Sequence, residues 1–152
     1  MSMTASDIKK LREETGAGVM DCKAALTEAK GDYKQAKIIV NQRGLARAEK
    51  KADRETHEGV VASYVHANQK VASLVEILCE TDFVSMNEEF RNLAHDLAMQ
   101  VTAMNPASVA ELLKQDFIKD PSLSVETVIK QLSGKVGEKF LFKRFIRYEL
   151  GQ

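Results

Sequence analysis

Charge of one sign is missing from this chain of 152 residues: 22 Lys and Arg stand against 22 Asp and Glu, a formal net charge of zero. No global field therefore draws it to nucleic acid or to an anionic membrane. Cysteine is scarce; Cys22 and Cys79 lack metal-ligand spacing, sit within apolar patterns, and read as reduced, buried thiols. No apolar run approaches the roughly 18 residues of a membrane span, and the start of the chain shows no basic-then-apolar signal pattern. The expectation is a soluble, cytoplasmic protein. Catalytic and cofactor signatures are absent too. Gly16-Ala17-Gly18 is too short for a mononucleotide loop and lacks its lysine and serine, His57, His66 and His95 have no ligand spacing, and no serine stands in a nucleophile elbow. Glu88 and Glu89 on successive helical positions serve a helix dipole better than acid–base work. These absences point to a protein that acts by binding, with no catalytic residue, cofactor or metal expected.

What is present is unevenly distributed. Residues 1–57 carry 12 basic and 9 acidic side chains, residues 58–106 carry 2 and 7, and residues 107–152 carry 8 and 6. A mildly basic head beside an acidic middle suits a protein-binding surface. Met3 to Glu14 reads as a helix capped by Thr4 with Asp7 three residues on. Gly16-Ala17-Gly18 ends it, Met20 to Ala29 forms a second helix, and Gly31 and Asp32 separate that from a third, with inner stripe Tyr33, Ala36, Ile39 and Val40, closing near Gly44. Three short helices over residues 1–44 have little core of their own and suit a docking module. Residues 45–56, rich in both charges, read as a solvated helical connector rather than a phosphate-binding patch, leaving residues 57–152 as a second domain.

From Gly59 the period changes to two. Val60 to His66, a turn at Ala67-Asn68-Gln69-Lys70, and Val71 to Cys79 make a β-hairpin. Thr81 and Asp82 leave the ladder for a turn or helix start, and Phe83 follows on a short connector. A phenylalanine there either turns inward over the end of the core or faces a partner. Asn87 caps a helix carrying Phe90, Leu93, Ala94, Leu97 and Val101 on one face, ended by Asn105-Pro106. A short helical turn near Val109, a turn at Lys119–Ser122, a helix from Ser124 to Gly134 and a last strand, Phe140 to Glu149, complete the chain. Strict alternation puts Phe140, Phe142, Arg144, Ile146 and Tyr148 on one face of that strand, and Leu141, Lys143, Phe145, Arg147 and Glu149 on the other. The expected fold class is α+β: a three-helix module, then a three-stranded, mostly antiparallel sheet with helices on one face.

Three stretches together resemble a known family. Leu11-Arg12-Glu13-Glu14-Thr15-Gly16-Ala17-Gly18-Val19-Met20-Asp21-Cys22-Lys23-Ala24-Ala25-Leu26, then Cys79-Glu80-Thr81-Asp82-Phe83-Val84, then Phe117-Ile118-Lys119-Asp120-Pro121-Ser122 with the ending Arg144-Phe145-Ile146-Arg147-Tyr148-Glu149-Leu150-Gly151, are similar to the elongation factor Ts family in order and spacing. The resemblance implies a guanine-nucleotide exchange factor, not a bond-making enzyme, whose partner is the translational GTPase elongation factor Tu. It implies a ubiquitin-associated type of fold for the first module. It implies that Val19, Met20 and Lys23 touch the GTPase near its nucleotide pocket. The connector Thr81, Asp82, Phe83 and Val84 would reach the same partner, Asp82 and Phe83 pushing between helices that hold magnesium and phosphate. Many members carry a second core half and a coiled-coil insertion, whereas Met104-Asn105-Pro106 here runs directly toward the C-terminal motif. A homodimer built at the sheet is the expected substitute. The rival reading is an adaptor of the ubiquitin-associated type without exchange activity; RNA binding through Leu45–Glu55 is a third, disfavoured by the neutral charge.

Overall fold

The computed structural model describes residues 4–50 and 53–152; Met3 at the expected start of the first helix, and Lys51 and Ala52 of the expected connector, lie outside the described residues. Helix α1 (Ala5–Thr15) opens on a capping box. The Thr4 hydroxyl oxygen accepts from the Asp7 N–H at 3.2 Å and the Asp7 carboxylate accepts from the Thr4 N–H at 3.0 Å. Gly16 closes it in the left-handed region, φ 67°, with its N–H on the Arg12 carbonyl. Helix α2 (Val19–Glu28) buries Cys22, Ala25 and Leu26, while Met20 and Ala24 face out. Helix α3 starts at Tyr33 after Asp32, whose carboxylate accepts from the Gln35 N–H, and Ala36 and Val40 close a small core with Leu11 and Leu26.

The helix expected to stop near Gly44 does not stop. α3 spans Tyr33–Lys50, taking in the first part of the expected connector. The cause is tertiary. α3 crosses helix α7 (Val125–Val136) at a point where Gly134 lies against the Gly44 backbone; a Cβ on Gly134 would fall 2.3 Å from the Gly44 carbonyl oxygen. Contact with α7 supports the helix through a residue whose intrinsic helix propensity is poor.

Strands β1 (Glu58–Val65), β2 (Val71–Cys79) and β5 (Leu141–Glu149) form one antiparallel sheet in the order β1-β2-β5. Helix α5 (Glu88–Met104), capped by Asn87, lies across its inner face, burying Phe90, Leu93, Leu97 and Val101 against Val75 and Ile77. Phe90 meets Phe140 edge to face at 4.9 Å. The sheet is thus covered on one face, as its α+β reading requires.

Two local expectations are corrected. A bulge at Lys143 pairs Ile77 with Phe142 but Glu76 with Arg144, so the alternation in β5 changes phase. Phe142, Phe145 and Arg147 consequently share the inner side, while Arg144, Ile146 and Tyr148 share the outer. The expected turn at Lys119–Ser122 is shifted: after helix α6 (Val109–Lys114), strands β3 (Asp116–Phe117) and β4 (Asp120–Ser124) make a small hairpin turning at Ile118 and Lys119. Fully buried Gln100 holds it, its carbonyl oxygen accepting from the Ile118 N–H at 2.9 Å and its amide donating to the Asp116 carbonyl at 3.0 Å. A one-residue clamp of this kind leaves no pattern in the strand sequence itself.

Cys79, at the end of β2, has no exposed surface, and desolvation, followed by the Glu138 charge, pushes its thiol up to about 11 from an ordinary value of 9.0. A thiol raised on folding stabilises the protein below pH 9; above it the unfolded chain ionises first, so that contribution fades between pH 9 and 11. Urea denaturation across that window should show falling stability, with a shallower fall in Cys79→Ala; equal slopes would contradict the assignment.

Candidate functional site

β2 leaves the sheet at Glu80, and Thr81 caps a single helical turn, α4 (Asp82–Ser85), with its hydroxyl oxygen accepting from the Val84 N–H at 3.4 Å. One turn of helix is below the length that sustains itself, so its direction must come from anchors. At its far end the Ser85 hydroxyl donates to the Asp82 carbonyl at 2.9 Å, and Arg91 of α5 donates through Nε to the Ser85 carbonyl at 3.1 Å. Val84 packs against the core. At the near end a carboxylate that no sequence pattern singled out takes over. Glu138, just past the Gly137 cap of α7, accepts from the Glu80 N–H at 3.1 Å and the Thr81 N–H at 3.0 Å on one oxygen, and from the Thr81 hydroxyl at 2.6 Å on the other. Glu80 returns the arrangement: its carboxylate accepts from the Lys139 N–H at 2.9 Å and pairs with Arg54 at 3.4 Å. Charge-assisted bonds to backbone amides are among the stronger ones available.

On this pinned turn Asp82 is exposed and Phe83 is 84% exposed, the most exposed of the large apolar side chains among the described residues. The inward alternative for the ring is therefore excluded. Met86, 69% exposed at the end of the same turn, extends the apolar tip and was not anticipated from the sequence.

Val19, Met20 and Lys23 lie on the first turns of α2, all exposed, with Met20 at 73%. Gly18 at the helix start contributes no side-chain cap. The preceding loop is seated on α7: the Lys135 side chain lies across Gly16 so closely that a Cβ there would fall 2.0 Å from its Cε. Lys135 reaches on to Glu89 of α5 at 2.8 Å. The three residues on α2 and the four at the β2–α4 junction are thus on separate elements, but both groups are gripped by the end of one helix, through Lys135 and Glu138. The sequence pattern placed the close of that helix at Gly134, but the helix runs through it to Val136 and Gly137 is the cap, so neither Lys135 nor Glu138 was marked as lying at a helix end.

Among the described residues no group of His, Cys, Asp or Glu is placed to hold a metal ion, and no helix is long and apolar enough to cross a membrane.

The family model described as "Elongation factor TS" matches residues 13–111 and 80–152, two stretches that overlap. The elongation factor Ts of Desulforamulus reducens is 40% identical, covering 99% of this chain and 90% of that protein. That of Thermodesulfovibrio yellowstonii is 37% identical over the whole chain and 98% of its own length. That of Aquifex aeolicus is 45% identical over 98% of this chain and 53% of that one. The first two alignments run over 195 and 196 positions against a chain of 152 residues, so each of those relatives carries a stretch that this chain lacks. Matches of this extent, on a chain whose two exposed tips are the segments that carry the resemblance, establish that it belongs to the elongation factor Ts family.

Proposed function

We propose that the chain is a guanine-nucleotide exchange factor that binds elongation factor Tu in the cytoplasm and promotes release of GDP, acting by binding and not by bond making. The observation that carries this reading is Phe83: an almost fully solvated ring on a turn pinned at both ends. A GTPase holds its nucleotide largely through backbone donors to phosphate and a bridging Mg²⁺. A factor that binds the metal-free or empty arrangement better than the loaded one weakens nucleotide affinity by the same factor, because linkage is reciprocal. Placing a phenylalanine in a cavity that exists only in the rearranged partner supplies on the order of 2–3 kcal/mol of that difference. In this scheme Val19, Met20 and Lys23 dock the three-helix module, and Thr81, Asp82, Phe83 and Val84 form the lever that disturbs the segments holding phosphate and metal. Stopped-flow release of a fluorescent GDP from elongation factor Tu, with and without the chain, tests it. Strong acceleration is expected; unchanged release leaves the adaptor reading in its place.

A second copy of the chain is a further proposed partner. The outer side of the sheet exposes Val61, Val65, Leu74, Ile146 and Tyr148 around a Glu76–Arg144 ion pair, an apolar face of mixed charge. A two-fold axis through that pair sets acid against base on both sides, the self-complementarity an isologous contact needs. Sedimentation at tens of micromolar should show a dimer that Val61→Glu dissociates; a monomer throughout ends this proposal.

A further inference from the structure

We propose that Glu138 is a positioning residue for nucleotide release, holding the turn that presents Phe83; this rests on the exchange reading above. The argument begins from what α4 cannot do alone. Its backbone bonds are few, Ser85 N–H to Thr81 at 3.1 Å and Met86 N–H to Asp82 at 3.0 Å, and a four-residue helix has no cooperative length. Its direction is set where the chain enters it. There Glu138 collects two amides and one hydroxyl from Glu80 and Thr81, each of which would otherwise have only solvent or nothing to bond. Remove the carboxylate and the entry to the turn loses all three bonds, while the Arg91 anchor at the exit remains. The turn can then pivot about Val84, and Phe83, two residues beyond Thr81, samples many directions. Ordering it again falls on the moment of insertion into the partner, as a cost of preorganisation transferred to the complex.

Two features mark this as more than a sheet-edge contact. Both Glu138 oxygens are used, so the carboxylate fixes orientation as well as distance. And Glu138 is itself fixed: the Ser133 hydroxyl donates to its backbone carbonyl, and its neighbour Lys139 is held by Glu80, so residues 80–81 and 138–139 clamp each other reciprocally. The arm length of a glutamate is part of the design, because the bonds cross from the end of α7 to the end of β2.

The test is a double-mutant cycle on GDP release from elongation factor Tu. Glu138→Ala should slow release at saturating factor about fivefold while the half-saturating concentration, set by docking through α2, moves less than about twofold. Glu138→Gln keeps the reach and one carbonyl acceptor for the two amides but loses the charge and puts an NH2, which cannot accept from the Thr81 hydroxyl, in place of the second oxygen, so it should fall between native and alanine; Glu138→Asp keeps the charge, loses one methylene of reach, and should resemble alanine. In a Phe83→Ala background the Glu138→Ala change should add almost nothing, since there is no ring left to position. If Glu138→Ala does not fold, the aspartate variant carries the same cycle. Additive losses, or a loss residing in half-saturation, overturn the role of Glu138 while leaving exchange intact. Native chain that does not accelerate release overturns the exchange reading and this role together.

Discussion

Phe83→Ala should lower the rate of GDP release at saturating factor at least tenfold without lowering the denaturation midpoint. The two halves of that expectation come from one observation. A ring 84% exposed contributes little to its own fold, so its truncation leaves no cavity in the core. Whatever the ring does, it does in a complex. If it fills a gap that opens only as the partner lets go of its metal, deleting it removes stabilisation from that state and not from the loaded one, and about 1.4 kcal/mol of such selective loss is a decade in rate. The Phe90→Ala change would behave in the opposite way: Phe90 is fully buried against Phe140, so its loss appears as unfolding before any kinetic effect is seen. Phe83→Ala with native release, measured on protein whose melting is unchanged, would remove Phe83 from the lever and leave the proposed mechanism without its driving contact.

The chain's own pattern showed the elements that depend on neighbours in sequence. Thr4 with Asp7, Asn87, Ser124 and Gly16 cap as their chemistry dictates, and the β1–β2 hairpin pairs Val60 with Ile77 and Ala62 with Val75 on the inner face, as alternation requires. What was hidden depends on residues far apart. Gly44 has the signature of a stop, yet the helix runs through it where it crosses α7 at Gly134. Lys143 has the signature of an alternating strand residue, and only register against β2 makes it a bulge that moves Phe145 inside. The same division runs through the candidate site. Thr81 as a cap and Phe83 as a ring beyond the ladder were legible from their local chemistry, whereas Glu138 and Lys135, which hold the entry to α4 and the Gly16 loop, become visible only when the end of α7 is laid against β2 and that loop.

That geometry makes Gly134 a point where a single added carbon would bear on the contact between two helices. A Cβ there would sit 2.3 Å from the Gly44 carbonyl oxygen and 2.7 Å from its carbon, and because both are backbone, no rotamer change relieves the clash. Gly134→Val must therefore part α3 from α7, with an overpacking cost of about 1–3 kcal/mol. The parting has a functional direction, since Lys135, next in the chain, is the residue lying across Gly16 and tying it to Glu89 of α5. Once that contact opens, Val19, Met20 and Lys23 no longer stand at a fixed distance from Phe83, and the two groups engage a partner as loosely linked units. Half-saturation for GDP release should rise about tenfold or more while the saturating rate stays within about twofold, the reverse of the Phe83→Ala signature. Gly44→Ala supplies the control: a Cβ on Gly44 meets nothing within 4 Å, and alanine in a helix interior is favoured over glycine by about 1 kcal/mol, so that variant should melt higher and release GDP normally. Identical behaviour of the two glycine variants would mean that the crossing of α3 and α7 does not set the spacing between the docking segments.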